Sequence, residues 1–279
     1  MRSGFVSFVG RPNVGKSTLL NAICGKKVSI VSDKPQTTRN RIRGVLTTPE
    51  TQLIFVDTPG IHKAVSALGE RVNATAIEST KDVDVVCLVI DATQTFGTGD
   101  KYVSNHIDMS KAVVILNKID RAEPAKILKQ LQALSSLGAA EYFPISAKTG
   151  DGVAELTAYL ATRMPEGELL YPAEMITETP DSVWIAELVR EQLLENTHEE
   201  LPYSIATRVT EYEPPRIRCE IVVERESQKG MVIGKNGAML KIVGTNVRRQ
   251  LPSGTFLELA VVVDKNWQQR PERVERLGY

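Results

Sequence analysis

The chain has 279 residues, 42% hydrophobic and 24% charged, with 34 basic and 34 acidic side chains, which suits two ordinary globular domains rather than one. The balanced charge excludes a polyanion binder built on overall charge, and no apolar run approaches the ~18 residues of a membrane span. Three widely spaced cysteines, Cys24, Cys87 and Cys219, include no CxxC pair and so exclude a disulfide framework or a thiolate zinc site.

A strand pattern starts at Phe5, which leaves no room for a signal peptide; cytoplasmic residence with reduced thiols is the expectation. Up to about residue 163, short apolar runs alternate with amphipathic stretches. Strands are predicted at Phe5–Val9, Leu53–Asp57, Val85–Asp91, Ala112–Asn117 and Glu141–Ile145. Helices are predicted near Lys16–Cys24, Leu68–Thr80, Asp100–Asp108, Pro124–Leu137 and Val153–Arg163. Continuous apolar strands separated by helices indicate an α/β fold with a mainly parallel sheet covered on both faces, whose ligands bind at the carboxyl ends of the strands.

The motifs lie at those ends. Gly10-Arg11-Pro12-Asn13-Val14-Gly15-Lys16-Ser17 fits a phosphate-binding P-loop between a strand and a helix, with Thr18 opening the helix beside it. Glycines let backbone N–H groups wrap phosphates, Lys16 reaches the outer phosphates, and Ser17 ligates Mg²⁺. Asp57-Thr58-Pro59-Gly60 ends another strand: Asp57 is placed to hold Mg²⁺ through water, and Gly60 to offer its N–H to a γ-phosphate. Thr37 and Thr38, in the polar stretch after the first helix, match the other switch segment, and Thr38 is favoured as the Mg²⁺ ligand.

Asn117-Lys118-Ile119-Asp120 names the base. A carboxylate such as Asp120 accepts two hydrogen bonds from the N1–H and 2-amino edge of guanine, which adenine cannot supply. Ser146-Ala147-Lys148 follows the next strand and resembles the loop that backs the base. Together these residues specify a GTP-hydrolysing enzyme. Ile61 stands where Ras-like proteins carry a water-orienting glutamine, so slow intrinsic turnover is expected. Asn13 matches GTPases that recruit K⁺ as an extra positive charge. His62 reads as a bystander to the switch, and His106 and His198 as surface residues.

From Met164 to Pro180 the pattern breaks, and three prolines suggest a linker. The expected division is a GTPase domain over 1–164, a linker over 165–180 and a smaller α+β domain over 181–279. In the latter a helix is predicted near Ser182–Asn196, strands near Tyr203–Tyr212 and Arg216–Glu224, a helical region to about Leu251 and a strand at Phe256–Asp264; the strands look antiparallel, joined at Glu213-Pro214-Pro215. Val232-Ile233-Gly234-Lys235-Asn236-Gly237 carries a GxxG turn, and Ser227–Leu257 holds no acid while Lys229, Lys235, Lys241, Arg248 and Arg249 are basic. Such a patch in a balanced chain suits a polyanion. The element order is that of type II KH domains, in which the GxxG loop admits phosphates and bases settle in an apolar groove. Val232, Ile233 and the face carrying Ile242 are the expected groove walls. The tail Trp267–Tyr279 reads as a final amphipathic helix whose arginines extend the RNA track or simply solvate its face. A protein-docking module, a vestigial nucleotide site and a P-loop kinase are the competing readings. Intact Lys16, Ser17, Asp57 and Asp120 argue against the second, and an idle Asn117–Asp120 argues against the third.

Across its whole length the sequence resembles the bacterial Era family of GTPases. The resemblance rests on Gly10–Ser17, Pro35-Gln36-Thr37-Thr38-Arg39, Asp57–Gly60, Asn117–Asp120, Leu201-Pro202-Tyr203-Ser204, Lys229–Gly237 and Leu277-Gly278-Tyr279. It implies small (30S) ribosomal subunit maturation and a KH domain bound to the 3′ end of 16S rRNA through Lys229, Val232, Ile233, Gly234, Lys235, Asn236, Gly237, Lys241 and Arg248. It also implies peripheral inner-membrane association in some members. A monomer is expected.

Overall fold

The computed structural model describes residues 1–61, 66–197 and 199–279, so the readings of His62 and His198 lie outside the described residues. Two compact units emerge: one built on Met1–Val31, the segment from Thr38 and Arg71–Glu178, the other on Thr179–Tyr279, to which Ser32–Thr37 and residues 66–70 also belong.

In the first unit, strands β1 (Arg2–Val9), β2 (Ile42–Thr47), β3 (Thr51–Asp57), β4 (Val85–Asp91), β5 (Val113–Asn117) and β6 (Glu141–Pro144) form one sheet in the order β2-β3-β1-β4-β5-β6. All neighbours are parallel except β2 with β3. Period-two alternation decides which face each side chain meets. Val6, Phe8, Cys87, Val89, Val113 and Ile115 bury on the face carrying helices α1 (Lys16–Cys24) and α5 (Val153–Arg163). Val9, Leu88, Ile90, Val114 and Leu116 bury on the opposite face, which bears α2 (Ala67–Glu78), α3 (Thr98–Ser104) and α4 (Pro124–Leu134). Each fully buried aliphatic or Phe side chain contributes about 1.5–3 kcal/mol, so apolar runs on both faces drive this sheet.

The chain passes from β1 to β3 on one side and to β4 on the other, so the carboxyl end of β1 is a topological switch point, where open α/β sheets bind ligands. The predicted α/β class with a mainly parallel sheet holds. β2 was not predicted: Arg43 and Gly44 interrupt its apolar pattern, and its edge position leaves it half-covered. The presumed linker is also more ordered than its composition suggests. Its carboxyl half lies along β2, where Val45 N–H donates to the Ile176 carbonyl at 2.7 Å and Thr177 Oγ1 to the Arg43 carbonyl at 2.7 Å. Gln52 Oε1 accepts the N–H groups of Leu170 and Tyr171 at 2.8 and 2.9 Å. Backbone pairing of this kind leaves no periodic trace in a sequence.

The second unit has α6 (Asp181–Asn196), α7 (Leu201–Ser204), β7 (Ala206–Glu213), β8 (Arg216–Val223), α8 (Glu226–Ile233), α9 (Ala238–Arg248), β9 (Phe256–Val263) and α10 (Pro271–Arg276). Its sheet runs β7-β8-β9, and one face packs Cys219, Ile221, Val223 and Leu257 against Leu188, Val189, Val232, Val243 and Val247 of the helices. Two expectations need correction. The expected antiparallel pair joined at Glu213-Pro214-Pro215 is found as β7 with β8, but β9 runs parallel to β8, because the connection between β8 and β9 contains two helices and returns the chain to its starting end. Tyr203 and Ser204 belong to the turn of α7 rather than to a strand; Pro202 at its start suits a first helical turn. The tail is anchored by Trp267, fully buried, whose indole N–H donates to the Ser204 carbonyl at 3.0 Å.

Candidate nucleotide and RNA sites

The loop between β1 and α1 is shaped by backbone freedom at two positions. Asn13 (φ 63°) and Gly15 (φ 98°) both take left-handed conformations, which turn successive N–H groups toward one side. A Cβ on Gly15 would lie 2.3 Å from the Asn117 side-chain nitrogen, so the position needs glycine for contact as well as for conformation. Lys16 is buried and donates to the carbonyls of Gly10 and Arg11 at 3.3 and 3.0 Å. Burial lowers its pKa to about 8, against the opposing pull of the Asp57 charge. Arg11 is held away from the loop interior by Asp100 (3.1 Å) and Gln94 (2.9 Å).

Three hydroxyls converge on one carboxylate. Asp57 Oδ2 accepts from Ser17 at 2.6 Å, Ser29 at 3.0 Å and Thr38 at 3.4 Å, and the Ser17 and Thr38 hydroxyls are 2.9 Å apart. Burial pushes the Asp57 carboxyl up, opposed by the Lys16 charge and these hydroxyls. Asp57 Oδ1 is buried with no hydrogen-bond partner among the described residues. An orphaned carboxylate oxygen beside two hydroxyls is a donor set suited to a hard divalent cation that keeps several waters. Thr37 points elsewhere: its hydroxyl donates to the Lys34 carbonyl at 2.7 Å. Of the two candidate threonines, only Thr38 joins the cluster.

The segment after Asp57 is tied to the loop. Thr58 donates to the Phe8 carbonyl at 2.6 Å, and the Ile61 N–H donates to the Gly10 carbonyl at 3.1 Å. A Cβ on Gly60 would lie 2.5 Å from the Pro12 nitrogen, so the two segments touch through glycine. Ile61 itself is buried in the core beside Val9 and Leu88.

At the base end, Asn117 is a buried brace rather than an exposed recognition group. Its amide donates to the Val14 carbonyl at 2.9 Å, and its oxygen accepts the Ala147 N–H at 2.9 Å. Lys118, with φ 67°, spans from the Asn13 carbonyl (2.6 Å) to Asp91 (2.7 Å). Burial alone would raise the Asp91 carboxyl, but hydrogen bonds from Lys118 and Thr93 outweigh it and hold it below the usual range. Asp120 is exposed and oriented by the Ser146 hydroxyl at 2.7 Å, leaving its carboxylate available to a base edge. Pro12, Thr18, Pro59 and Lys148 complete the predicted set around this end of the sheet. Asp91 was missed; its position at the end of an apolar strand was the available signal.

In the second unit, the GxxG turn joins α8 to α9. Gly234 and Gly237 have φ of 73° and 77°, and Asn236 has 53°. Lys235, Asn236, Lys241 and Arg248 are exposed, and Lys229 and Ile233 are half-buried. Val232 requires a correction: it is fully buried against the sheet, so it supports the surface from beneath and forms no open wall. The exposed apolar side chains around the turn are Met231 and Ile242, with Phe256 at the start of the edge strand β9. Met231 and Phe256 had passed as ordinary members of their elements.

Thr37 contributes one further contact. Its carbonyl accepts a hydrogen bond from Arg190 of α6, a fully buried guanidinium that also pairs with Glu187 one helical turn earlier.

A loop of phosphate-binding form, hydroxyls gathered on the buried Asp57 carboxylate and an exposed Asp120 beyond the Asn117 brace have the form of a GTPase, here joined to a second unit with a KH-like GxxG turn. Residues 5–118 match the family model for the 50S ribosome-binding GTPase, and residues 200–268 match that for the KH domain. The chain is 44% identical to GTPase Era of Mycobacterium sp. (strain KMS), with 100% of this chain and 99% of that protein covered. It is 43% identical to GTPase Era of Heliobacterium modesticaldum, with 100% and 97% covered. A crystal structure of Era with MgGDPNP and nucleotides 1506–1542 of 16S ribosomal RNA superposes with a TM-score of 0.96 at 39% identity, covering 100% of this chain and 99% of that one. A variant of Aquifex aeolicus Era bound to GDP·AlF4⁻ gives the same TM-score, identity and coverage. The chain belongs to the Era family of GTPases. No helix among the described residues is long and apolar enough to cross a membrane.

Proposed function

We propose that this chain is a GTP-driven switch that binds the 3′ end of 16S ribosomal RNA through its second domain and acts in assembly of the small ribosomal subunit. The observation that carries the reading is the coexistence, in one chain, of the Asp120 guanine site and a glycine-gated GxxG turn flanked by basic residues, of which Lys235, Lys241 and Arg248 are exposed. The Era relative crystallised with a 16S fragment supports it.

The residue roles follow from the geometry. Backbone N–H groups of Gly10–Ser17 and the α1 N-terminus cradle the phosphates, and Lys16 swings from its two carbonyl partners to the outer phosphates. Ser17, Thr38 and, through water, Asp57 hold Mg²⁺, which neutralises charge on the β- and γ-oxygens when bound. Gly60 offers its N–H to the γ-phosphate. Asp120 reads guanine, while Asn117, Lys118, Ser146, Ala147 and Lys148 shape the base pocket. Asn13 is the expected handle for K⁺; equal hydrolysis rates in sodium and potassium buffers would remove that ion from the scheme. Lys235, Asn236, Lys241 and Arg248 contact RNA phosphates, with Gly234 and Gly237 allowing close approach and Ile233 bordering the bases.

Coupling runs through adjacent residues of one segment. Thr38 joins the metal cluster while the Thr37 carbonyl is held by Arg190, so a nucleotide that draws on Thr38 biases the helix α6 that carries Arg190. α6 reaches α9 through Asn246, which donates to Gln192 at 2.8 Å, and α9 leads directly from the GxxG turn. The test is binding of a 3′-terminal 16S fragment with GTP analogue, GDP or no nucleotide. Tight binding that changes with nucleotide supports a coupled switch. Indifference to nucleotide rejects the coupling, and absence of RNA binding hands the GxxG surface, with exposed Met231, Ile242 and Phe256, to protein docking. The protein is taken to be a cytoplasmic monomer. Peripheral attachment to the inner membrane rests on family resemblance alone, and flotation with anionic vesicles tests it.

A further inference from the structure

The second unit has a cavity of about 490 Å³ lined by residues of the sheet and of the tail that folds back after β9. It lies on the sheet face opposite the helices. Arg208, Glu220 and Val222 alternate with Val209, Cys219, Ile221 and Val223, whose side chains bury against α6, α8 and α9. The GxxG turn joins two of those helices, so the cavity is separate from the predicted RNA groove.

Five cations line it: Arg208, Lys265, Arg270, Arg273 and Arg276. Two carboxylates face them, and each is already engaged: Glu220 by Arg208 at 2.7 Å and Asp264 by Arg273 at 2.9 Å. Lys265, Arg270 and Arg276 are exposed and have no acidic partner among the described residues. The paired arginines are fixed in place by their carboxylates, while the other three cations remain available. Concentrating uncompensated positive charge around one concave site in a chain of zero net charge raises the local potential for anions. Guanidinium groups favour phosphate because their planar fork matches its oxygens. Val222, Val262 and Leu277 give the cavity an apolar floor, against which a sugar or base can rest.

We propose that this cavity is a second phosphate-binding site, distinct from both the P-loop and the GxxG turn. Its phosphates come either from RNA lying outside the groove or from a free polyphosphate or nucleotide. The RNA source rests on the proposed function: a GxxG loop clamps about four nucleotides, so a longer bound RNA needs other contacts.

The test uses the full chain saturated with Mg²⁺ and GDP, so that the P-loop is filled. The double variant Arg270→Ala/Arg276→Ala removes two exposed groups that hold no ion pair, and an unchanged unfolding temperature verifies its fold. Calorimetric titration with tripolyphosphate reads the free-anion source. Two RNAs read the other: a six-nucleotide single strand sized for the groove, and the same strand extended by a hairpin. If RNA is the source, the variant loses about tenfold or more in affinity for the extended RNA, keeps its affinity for the short strand, and shows a salt slope shallower by about 1–2. If a free anion is the source, the variant loses tripolyphosphate binding instead. Parent and variant alike in both arms would overturn the proposal. Failure of the short strand to bind the parent would overturn the RNA-binding function, while the tripolyphosphate arm would still judge the cavity.

Discussion

Asn117 and Asp120 sit three residues apart in one motif, yet the structure gives them different work, and substitution separates the two. Asn117 is 1% exposed and makes two internal hydrogen bonds of 2.9 Å. Asn117→Ala strands the Val14 carbonyl and the Ala147 N–H, both in buried residues, at about 1–3 kcal/mol each, or about 2–6 kcal/mol together. For a domain of this size that is a fall of about 5–20 °C in the unfolding temperature of the first unit. Asp120 is exposed and makes one bond to Ser146, so Asp120→Ala should change stability by under about 1 kcal/mol. Its cost falls on recognition: two charge-assisted hydrogen bonds to guanine are lost, and the preference for GTP over ATP drops about 100-fold or more. Thermal unfolding followed by fluorescence or calorimetry, with nucleotide competition on the same preparations, gives both readouts. An Asn117→Ala chain as stable as its parent would refute the reading of Asn117 as a brace. An Asp120→Ala chain that keeps its guanine preference would refute the assignment of the base contact.

Gly60→Ala places a methyl 2.5 Å from the Pro12 nitrogen, where only backbone could yield, so GTP turnover should fall about tenfold or more with GDP affinity largely retained, as measured by phosphate release and GDP titration. Arg190→Ala leaves Glu187 buried and uncompensated, and the second unit should lose about 3–5 kcal/mol in denaturant unfolding; Arg190→Met with Glu187→Leu should recover much of that loss. The same double variant should leave RNA affinity indifferent to nucleotide, because the hold on the Thr37 carbonyl is gone. Burial raises the thiol pKa of Cys24 to about 11 and of Cys219 to about 12 and pushes Cys87 up further, so thiolate is scarce at pH 8. Alkylation monitored by mass spectrometry should therefore be slow for all three until denaturant is added.

Much of the nucleotide domain was legible because its chemistry and its folding signals coincide. α1 and α5 were readable to the residue, each opening at a glycine with positive φ: Gly15 and Gly152. The central strands declared themselves as unbroken apolar runs, since both faces are covered. What escaped notice depends on contacts distant in sequence. β2 is an edge strand whose pairing with β3 compensates for a weak pattern. The direction of β9 follows from the crossover and not from any local residue. Val232 looked like a groove wall because apolar residues beside a GxxG turn carry the same signature whether they face ligand or core. Arg190 was hidden among polar neighbours on α6, Glu191 and Gln192 beside it, that read as an ordinary solvated face; its partner Glu187, three residues earlier on the same helical face, was the signal that could have exposed it.

Ile61 links the sequence departure to the chemistry. Its side chain is sealed in the core and its N–H is bonded to the Gly10 carbonyl, so the residue anchors the segment after Asp57 to the loop between β1 and α1. A group so placed cannot orient water. On the proposed scheme, acceleration of hydrolysis therefore depends on what surrounds the phosphates: the Lys16 ammonium, the loop N–H groups, and the Mg²⁺ and K⁺ proposed at Ser17–Thr38 and at Asn13. A site that relies on charge without a positioned water is slow by construction. Slowness suits a switch whose GTP state must outlast the binding event it licenses, and it leaves room for a bound partner to supply the missing alignment.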